Sequence, residues 1–351
     1  MYMRENSIIG LFICVITALL SIELSNYIGI ELLKHVKSPI SPIIIAIILG
    51  ILISNSVKNI HNYSDGFRFS IKYLLKLGII LLGIRLSISD ILLYGSQGLL
   101  VIIPCIAISI FIVSKFREYF QVSNNLSLLI AVGTSICGAT AIVALAPAIN
   151  AKKEEISYAI ANITVFGLIA MFLYPLLAFI VFNDNSLAVG LFLGTSIHET
   201  AQVAGSGMIY AEQYGNPSVL DIATVIKLVR NTMMVMVIPL LAFVARKNSK
   251  QNNKINISSI FPYFIIGFLV FGMIRTIGDQ FEYQIGSELW NNFIHYIKYS
   301  AELLLIIAMS AVGYNTKLDK FKNLGLKPFY LGFIAALSVG IVSFSIIYLM
   351  L

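Results

Sequence analysis

Charge is scarce in this 351-residue chain. Lys, Arg, Asp and Glu together make up 12% of it, about half the share of an ordinary soluble domain. Cysteine is scarcer still. Cys14, Cys105 and Cys137 are odd in number, far apart and set in apolar runs, so neither a disulfide framework nor a zinc spacing fits them. Polar stretches long enough to build a separate soluble domain are missing as well. Apolar residues are what the chain has in excess, at 58%. That many apolar groups cannot all be hidden in one water-soluble core of this size, so some must face an apolar solvent. An ordinary cytosolic enzyme, a disordered chain and a disulfide scaffold are thereby excluded. The expected class is an all-α membrane protein with a single polytopic domain. The net charge of +7 then reads as Lys and Arg in cytoplasmic loops rather than as an affinity for nucleic acid.

Eleven apolar runs are long enough to be weighed against about 30 Å of hydrocarbon. They cover roughly 8–30, 39–56, 70–89, 91–114, 124–150, 156–182, 186–210, 219–245, 259–277, 296–314 and 328–350. The first follows Arg4 and continues past Leu20 without a convincing cleavage site, so it is expected as an uncleaved helix. Two runs are interrupted, one by Gly133-Thr134-Ser135 and the other by Gly194-Thr195-Ser196. The expectation is about 9–11 transmembrane helices, two of the segments being broken or re-entrant.

The interruptions belong to an internal repeat. Gly-Thr-Ser-Ile stands at 133–136 and at 194–197, and Pro-Leu-Leu-Ala-Phe at 175–179 and at 239–243, so the second motif follows the first by 42 residues in one copy and by 45 in the other. A fainter pair joins Gly83 and Gly95 to Gly313 and Gly325. Repeat A then covers about 70–182. Repeat B is permuted and covers about 186–245 plus 296–350. Charge bears on their orientation. With 124–150 and 186–210 as hairpins, Lys152 and Lys153 join Lys58, Lys115, Arg117, Arg246, Lys247, Lys250, Lys254, Lys317, Lys320 and Lys322 on one, cytoplasmic, side. Lys34, Lys37, Arg85, Arg275 and Lys298 stay outside. The two repeats become an inverted pair, as in many secondary transporters. The competing geometry is two through-going helices unwound at the same motif, and the short arm from Ser186 to Leu193 favours it.

A helix restarting after Gly-Thr-Ser exposes unpaired N–H groups and a positive dipole end. Thr134, Ser135, Thr195 and Ser196 add hydroxyls. Two such ends near the midplane would receive an anion without a full charge. His198 and Glu199 follow the second interruption directly, at a depth where ionisable groups are costly; Gln202 lies one turn beyond. The first repeat holds Cys137 and Gly138 at the matching places. Lys227 and Arg230 are three apart on one face of an apolar helix, next to Asn231, with Glu199 and Glu302 as the available acidic partners. Arg230 suits an oxyanion better because of its planar fork. Arg85 and Glu302 sit in repeat-related helices, and Asn162 and Thr164 are weaker candidates.

Enzyme chemistry finds little support. His198-Glu199-Thr200-Ala201-Gln202 begins like a zinc-protease motif, but that motif needs His at the fifth place. Ser135 lacks an arguable basic partner for a serine hydrolase. Asp is absent from both broken runs, which speaks against a cation as the main substrate. The residues point to a substrate site of Thr134, Ser135, Thr195, Ser196, His198, Arg230 and Asn231. Glu199, Gln202, Lys227 and Glu302 are left for coupling or ion pairing. No catalytic residue, metal or cofactor is expected. The expected partners are a small anionic substrate and the lipid bilayer, with Gly- and Ala-rich faces suited to a homodimer. An anion channel, a non-transporting binding module and, more remotely, an intramembrane hydrolase are the alternatives.

LLKLGIILLGIRLS (74–87), GTSICGATAIVALAPAI (133–149), GTSIHETAQVAGSG (194–207) and KLVRNTMM (227–234) resemble the YeiH-like sulfate exporter family, a group of conserved hypothetical bacterial membrane proteins. The resemblance runs from about the second apolar run to the last. It implies an inner-membrane secondary carrier of sulfate or a sulfur-containing organic anion. The family is placed near the cation/proton antiporters, which favours crossed broken helices over hairpins. This chain lacks the acidic pair of those antiporters, so cation coupling is not carried over.

Overall fold

A computed structural model describes residues 5–32, 41–183, 185–246, 261–316 and 325–351. The basic residues Lys34, Lys37, Lys247, Lys250, Lys254, Lys317, Lys320 and Lys322 lie outside the described residues. Among those described, the chain is helical and carries no strand. Among the described residues, six helical stretches are long and apolar enough to cross a membrane: Glu5–Asn26, Ile88–Tyr119, Lys153–Phe182, Ser218–Val244, Ser287–Asn315 and Leu326–Met350. Pro42–Ser56, Ala139–Ile149 and Ser186–Ser196 are shorter apolar helices. The expected all-α membrane class is what the chain forms.

The chain divides into two compact units. The first comprises Met1–Leu92, Gly207–Asp221 and Tyr263–Asp319. It holds α1 (Glu5–Asn26), α2 (Pro42–Ser56), α3 (Ser64–Phe69) and α4 (Leu75–Leu82). In this unit the helix Ser287–Asn315 packs on α2 and α4, and α1 packs on α2 and α3. Without a hydrophobic drive between helices in lipid, close approach through small residues supplies the packing. A Cβ on Gly50 would lie 2.6 Å from the Ser310 carbonyl, and one on Gly313 would lie 2.4 Å from the Ile47 carbonyl. Tyr314 closes this crossing. Its hydroxyl is 2.9 Å from Thr17 Oγ1, its carbonyl accepts from Ser54 Oγ at 2.6 Å, and its ring stacks on Phe67 at 4.6 Å.

The second unit comprises Leu93–Ser206, Ile222–Pro262 and Lys320–Leu351. Continuing in chain order, α5 is Ile88–Tyr119, α6 Asn124–Ser135, α7 Ala139–Leu145, α8 Lys153–Phe182, α9 Ser186–Ser196, α10 Thr200–Tyr214, α11 Ser218–Thr232 and α12 Met234–Arg246. Phe264–Gln280 is α13, Ser287–Asn315 is α14 and Leu326–Met350 is α15; α5, α10 and α11 contribute residues to both units. Within the second unit, α6 and α9 each pack against α8 and α15. The two broken segments are built alike. Ser123 Oγ accepts from Leu126 N–H at the start of α6, and Asn185 Oδ1 accepts from Ala188 N–H at the start of α9. These side chains satisfy N–H groups that an uncapped helix would leave bare. Both helices end on the serine of Gly-Thr-Ser, and three residues separate each from its successor.

Candidate functional site

The site assembles where α11 meets the ends of α6 and α9. Glycine sets the approach. A Cβ on Gly190 would lie 2.5 Å from Ile222 Cγ2, and one on Gly194 would lie 2.6 Å from Ile226 Cβ. These two glycines, four apart on one face of α9, let α11 settle against the backbone. Lys227 and Arg230 follow on the same stretch of α11 and are wholly buried.

Their donors go to main-chain carbonyls. Arg230 Nε donates to Ser135 O at 2.7 Å, and NH1 donates to Thr195 O at 2.7 Å and Ile197 O at 2.9 Å. NH2 donates to Thr134 O. Lys227 Nζ donates to Ile136 O and Ile197 O, both at 2.9 Å, and to His198 O. Helix C-termini leave carbonyls without intrahelical partners and carry the negative end of the dipole. In a membrane such groups must find partners inside the protein. Two cations from one helix therefore cap two broken helices at once.

This corrects two expectations about partners. Lys227 and Arg230 make no ion pair among the described residues; their partners are carbonyls, because the breaks offer their negative ends to α11. Glu302, expected beside those cations, belongs to the first unit, where its Oε1 accepts from Arg85 NH1 at 3.0 Å. Arg85 is held more tightly by Asp221, Nε to Oδ1 at 2.5 Å, with both side chains about nine-tenths buried. Asp221 was missed in the sequence. Its signal was an acid in the opening turn of an otherwise apolar run, a costly placement that asks for a partner.

The remaining side chains sort by whether their polar atoms are already engaged. Thr195 Oγ1 donates to Leu191 O at 2.7 Å or shares a proton with Ser343 Oγ at 2.6 Å. Ser196 Oγ donates to Phe192 O. Both hydroxyls serve their own helix, and that of Thr195 also reaches Ser343 of α15. Asn231 Nδ2 donates to Thr200 Oγ1 at 3.0 Å. Glu199 is half-buried, and its Oε1 accepts from Ala139 N–H, the opening residue of α7, at 3.3 Å. Gln202 Oε1 accepts from Glu199 N–H at 3.2 Å, and Nε2 donates to Thr164 O at 3.4 Å. Thr134 is buried and contributes its carbonyl to Arg230.

Three polar side chains remain partly or wholly unspent. Ser135 Oγ, both ring nitrogens of His198 and Asn231 Oδ1 are buried without a hydrogen-bond partner among the described residues. The imidazole lies near the Thr134 backbone without meeting hydrogen-bond geometry. Buried polar atoms are nearly always paired in native proteins, so unpaired ones mark places where water or a ligand supplies the missing bond. Each break carries one such residue, Ser135 in the first and His198 in the second. The centre also holds Lys227 and Arg230 near the carboxylate of Glu199, with the donors of both cations turned to the helix-end carbonyls.

A family model described as Conserved hypothetical protein 698 matches residues 9–332. A UPF0324 membrane protein of Fusobacterium nucleatum is 32% identical over 349 residues, covering 97% of each chain. A UPF0324 membrane protein of Clostridium tetani is 31% identical, covering 96% of this chain and 95% of its own. One from Streptococcus agalactiae serotype V is 29% identical, covering 97% and 96%. No solved structure matches the chain.

Proposed function

We propose that this chain, which belongs to the Conserved hypothetical protein 698 (UPF0324) family of membrane proteins, is a secondary active carrier of a small anion. That family is the YeiH-like group whose motifs the sequence carries. The observation behind the proposal is the double break sealed by Lys227 and Arg230. Interrupted helices inside a membrane domain are the usual ground of a transport site, because unwound backbone is tolerated only in protein or beside a watery cavity. Here the backbone carbonyls are neutralised by cations, and Ser135, His198 and Asn231 keep polar atoms unspent. Those three would bind the substrate. Lys227 and Arg230 would draw it in by charge while holding the breaks, and Glu199 would carry the coupling charge. Alternating access would follow from movement of one repeat against its inverted counterpart. Sulfate and sulfur-containing organic anions are the first substrates to try, and a bacterial inner membrane is the proposed location.

The test is counterflow in proteoliposomes, with radiolabelled sulfate, a sulfonate, phosphate, a carboxylate and chloride as the panel. Saturable, gradient-driven exchange of at least one anion is expected. Ser135→Ala and His198→Ala should each lower it about tenfold, the loss of one hydrogen bond to a charged group, with melting temperature kept. Arg230→Ala is a poor probe because the same residue holds the fold. Non-saturating flux would indicate a channel, and binding without flux a receptor-like module; either result removes the carrier reading.

A further inference from the structure

After the shared Gly-Thr-Ser-Ile the two breaks diverge, with Cys137 and Gly138 in the first at the places of His198 and Glu199 in the second. The structure gives this difference a physical reason. Gly138 adopts φ +69 and ψ −131, a conformation that glycine reaches far more readily than residues with a Cβ. A Cβ there would also lie 2.4 Å from Glu199 Cγ and 3.0 Å from Glu199 Oε1. The side chain of the second break thus fills the gap left by the glycine of the first, with Ala139 N–H bonded to its carboxylate. One turn on, the arrangement repeats. A Cβ on Gly167 would lie 2.0 Å from Gln202 Oε1, the atom that accepts from Glu199 N–H. Glu199 is half-buried, whereas Ile197 and His198 before it are buried. The joint between the breaks therefore ends at a side chain that can leave.

We propose that Glu199 is a latch: its carboxylate, seated at Gly138, holds the two breaks together, and it leaves that seat whenever the centre opens to an anion. The seated carboxylate and an incoming anion are both drawn by the positive charge of Lys227, so one displaces the other. The displacement rests on the carrier reading; the seat itself does not.

Cys137 is a native reporter of this joint. It adjoins Gly138 and is buried, as are Cys14 and Cys105 elsewhere in the chain. Purified protein in lipid nanodiscs is exposed to N-ethylmaleimide, and labelling of each cysteine is followed by peptide mass spectrometry. In Glu199→Ala, Cys137 should label about tenfold faster or more, the effect of losing a hydrogen bond to a charged group. Glu199→Gln, which keeps the shape and weakens the acceptor, should fall between. Cys14 and Cys105 should stay protected throughout, because only a local opening is involved. Unchanged Cys137 labelling in Glu199→Ala would overturn the latch. So would parallel labelling of all three cysteines, which would make Glu199 a support of the whole fold. Failure of the carrier reading is seen separately, as absent anion exchange by the unaltered protein.

Discussion

Replacing Arg230 by Met removes a cation while keeping an unbranched side chain of similar length. The guanidinium donates to the carbonyls of Thr134, Ser135, Thr195 and Ile197. A buried acceptor left without a donor costs about 1–3 kcal/mol, so four would cost roughly 4–12 kcal/mol if nothing relaxed. Two things lower that figure. Lys227 still donates to Ile197 O, and water can follow the lost charge into the gap. Removing one side of a buried charged network typically costs about 3–5 kcal/mol, and that is the expected range. With an unfolding entropy of about 2.1 cal/mol/K per residue, a chain of this length loses roughly 5 °C of melting temperature for 4 kcal/mol. Arg230→Lys keeps a charge and three donors but loses the planar fork, so it should fall by about half as much. Size-exclusion thermostability in detergent reads both. If Arg230→Met melts within about 1 °C of the parent, the carbonyls do not depend on Arg230 and the capping argument fails.

Three further outcomes follow from the packing. Asp221→Ala strips Arg85 of its closer partner but leaves Glu302, so a loss of about 2–3 kcal/mol is expected rather than the full cost of breaking a buried pair; an unchanged melt would make the pair incidental. Gly167→Ala drives a methyl into Gln202 and should cost about 1–2 kcal/mol through the hydrogen bonds Gln202 must give up. The double variant with Gln202→Ala should recover that loss, since Ala suits a helix better than Gly; equal loss in both would refute the notch. Gly66→Ala places a Cβ 2.4 Å from Ser7 O and 2.6 Å from Gly10 Cα, backbone atoms that cannot swing aside. A loss of about 1–3 kcal/mol is expected, and a stable variant with normal yield would contradict the α1–α3 crossing.

The fold class was legible because composition dictates it: apolar excess and sparse charge leave no soluble alternative. The breaks were legible because Gly-Thr-Ser inside an apolar run is a local signal, and both helices do end on that serine. The direction in which the breaks present themselves was not. A Gly-Thr-Ser interruption frees N–H groups on one side and carbonyls on the other, and sequence spacing does not say which will face a neighbour. Glycines 190 and 194 decided it, by admitting α11 at the carbonyl ends, a contact between segments some thirty residues apart. The same limit hid Asp221 as the partner of Arg85, 136 positions away. It also hid the fit of Glu199 over Gly138. Read along the chain these are an acid and a glycine at matching places of two distant breaks; only packing makes one the mould of the other.

Solid-state NMR in lipid reaches the capped breaks most directly. Protein carrying nitrogen-labelled arginine with carbonyl-carbon-labelled serine and threonine reports which carbonyls the guanidinium touches, and Arg230→Lys identifies its signals by their loss. Strong dipolar contacts from Arg230 to the carbonyl carbons of Ser135 and Thr195 together are the predicted result. A guanidinium coupled only to water or lipid phosphate would contradict the claim that one cation pair closes both broken helices.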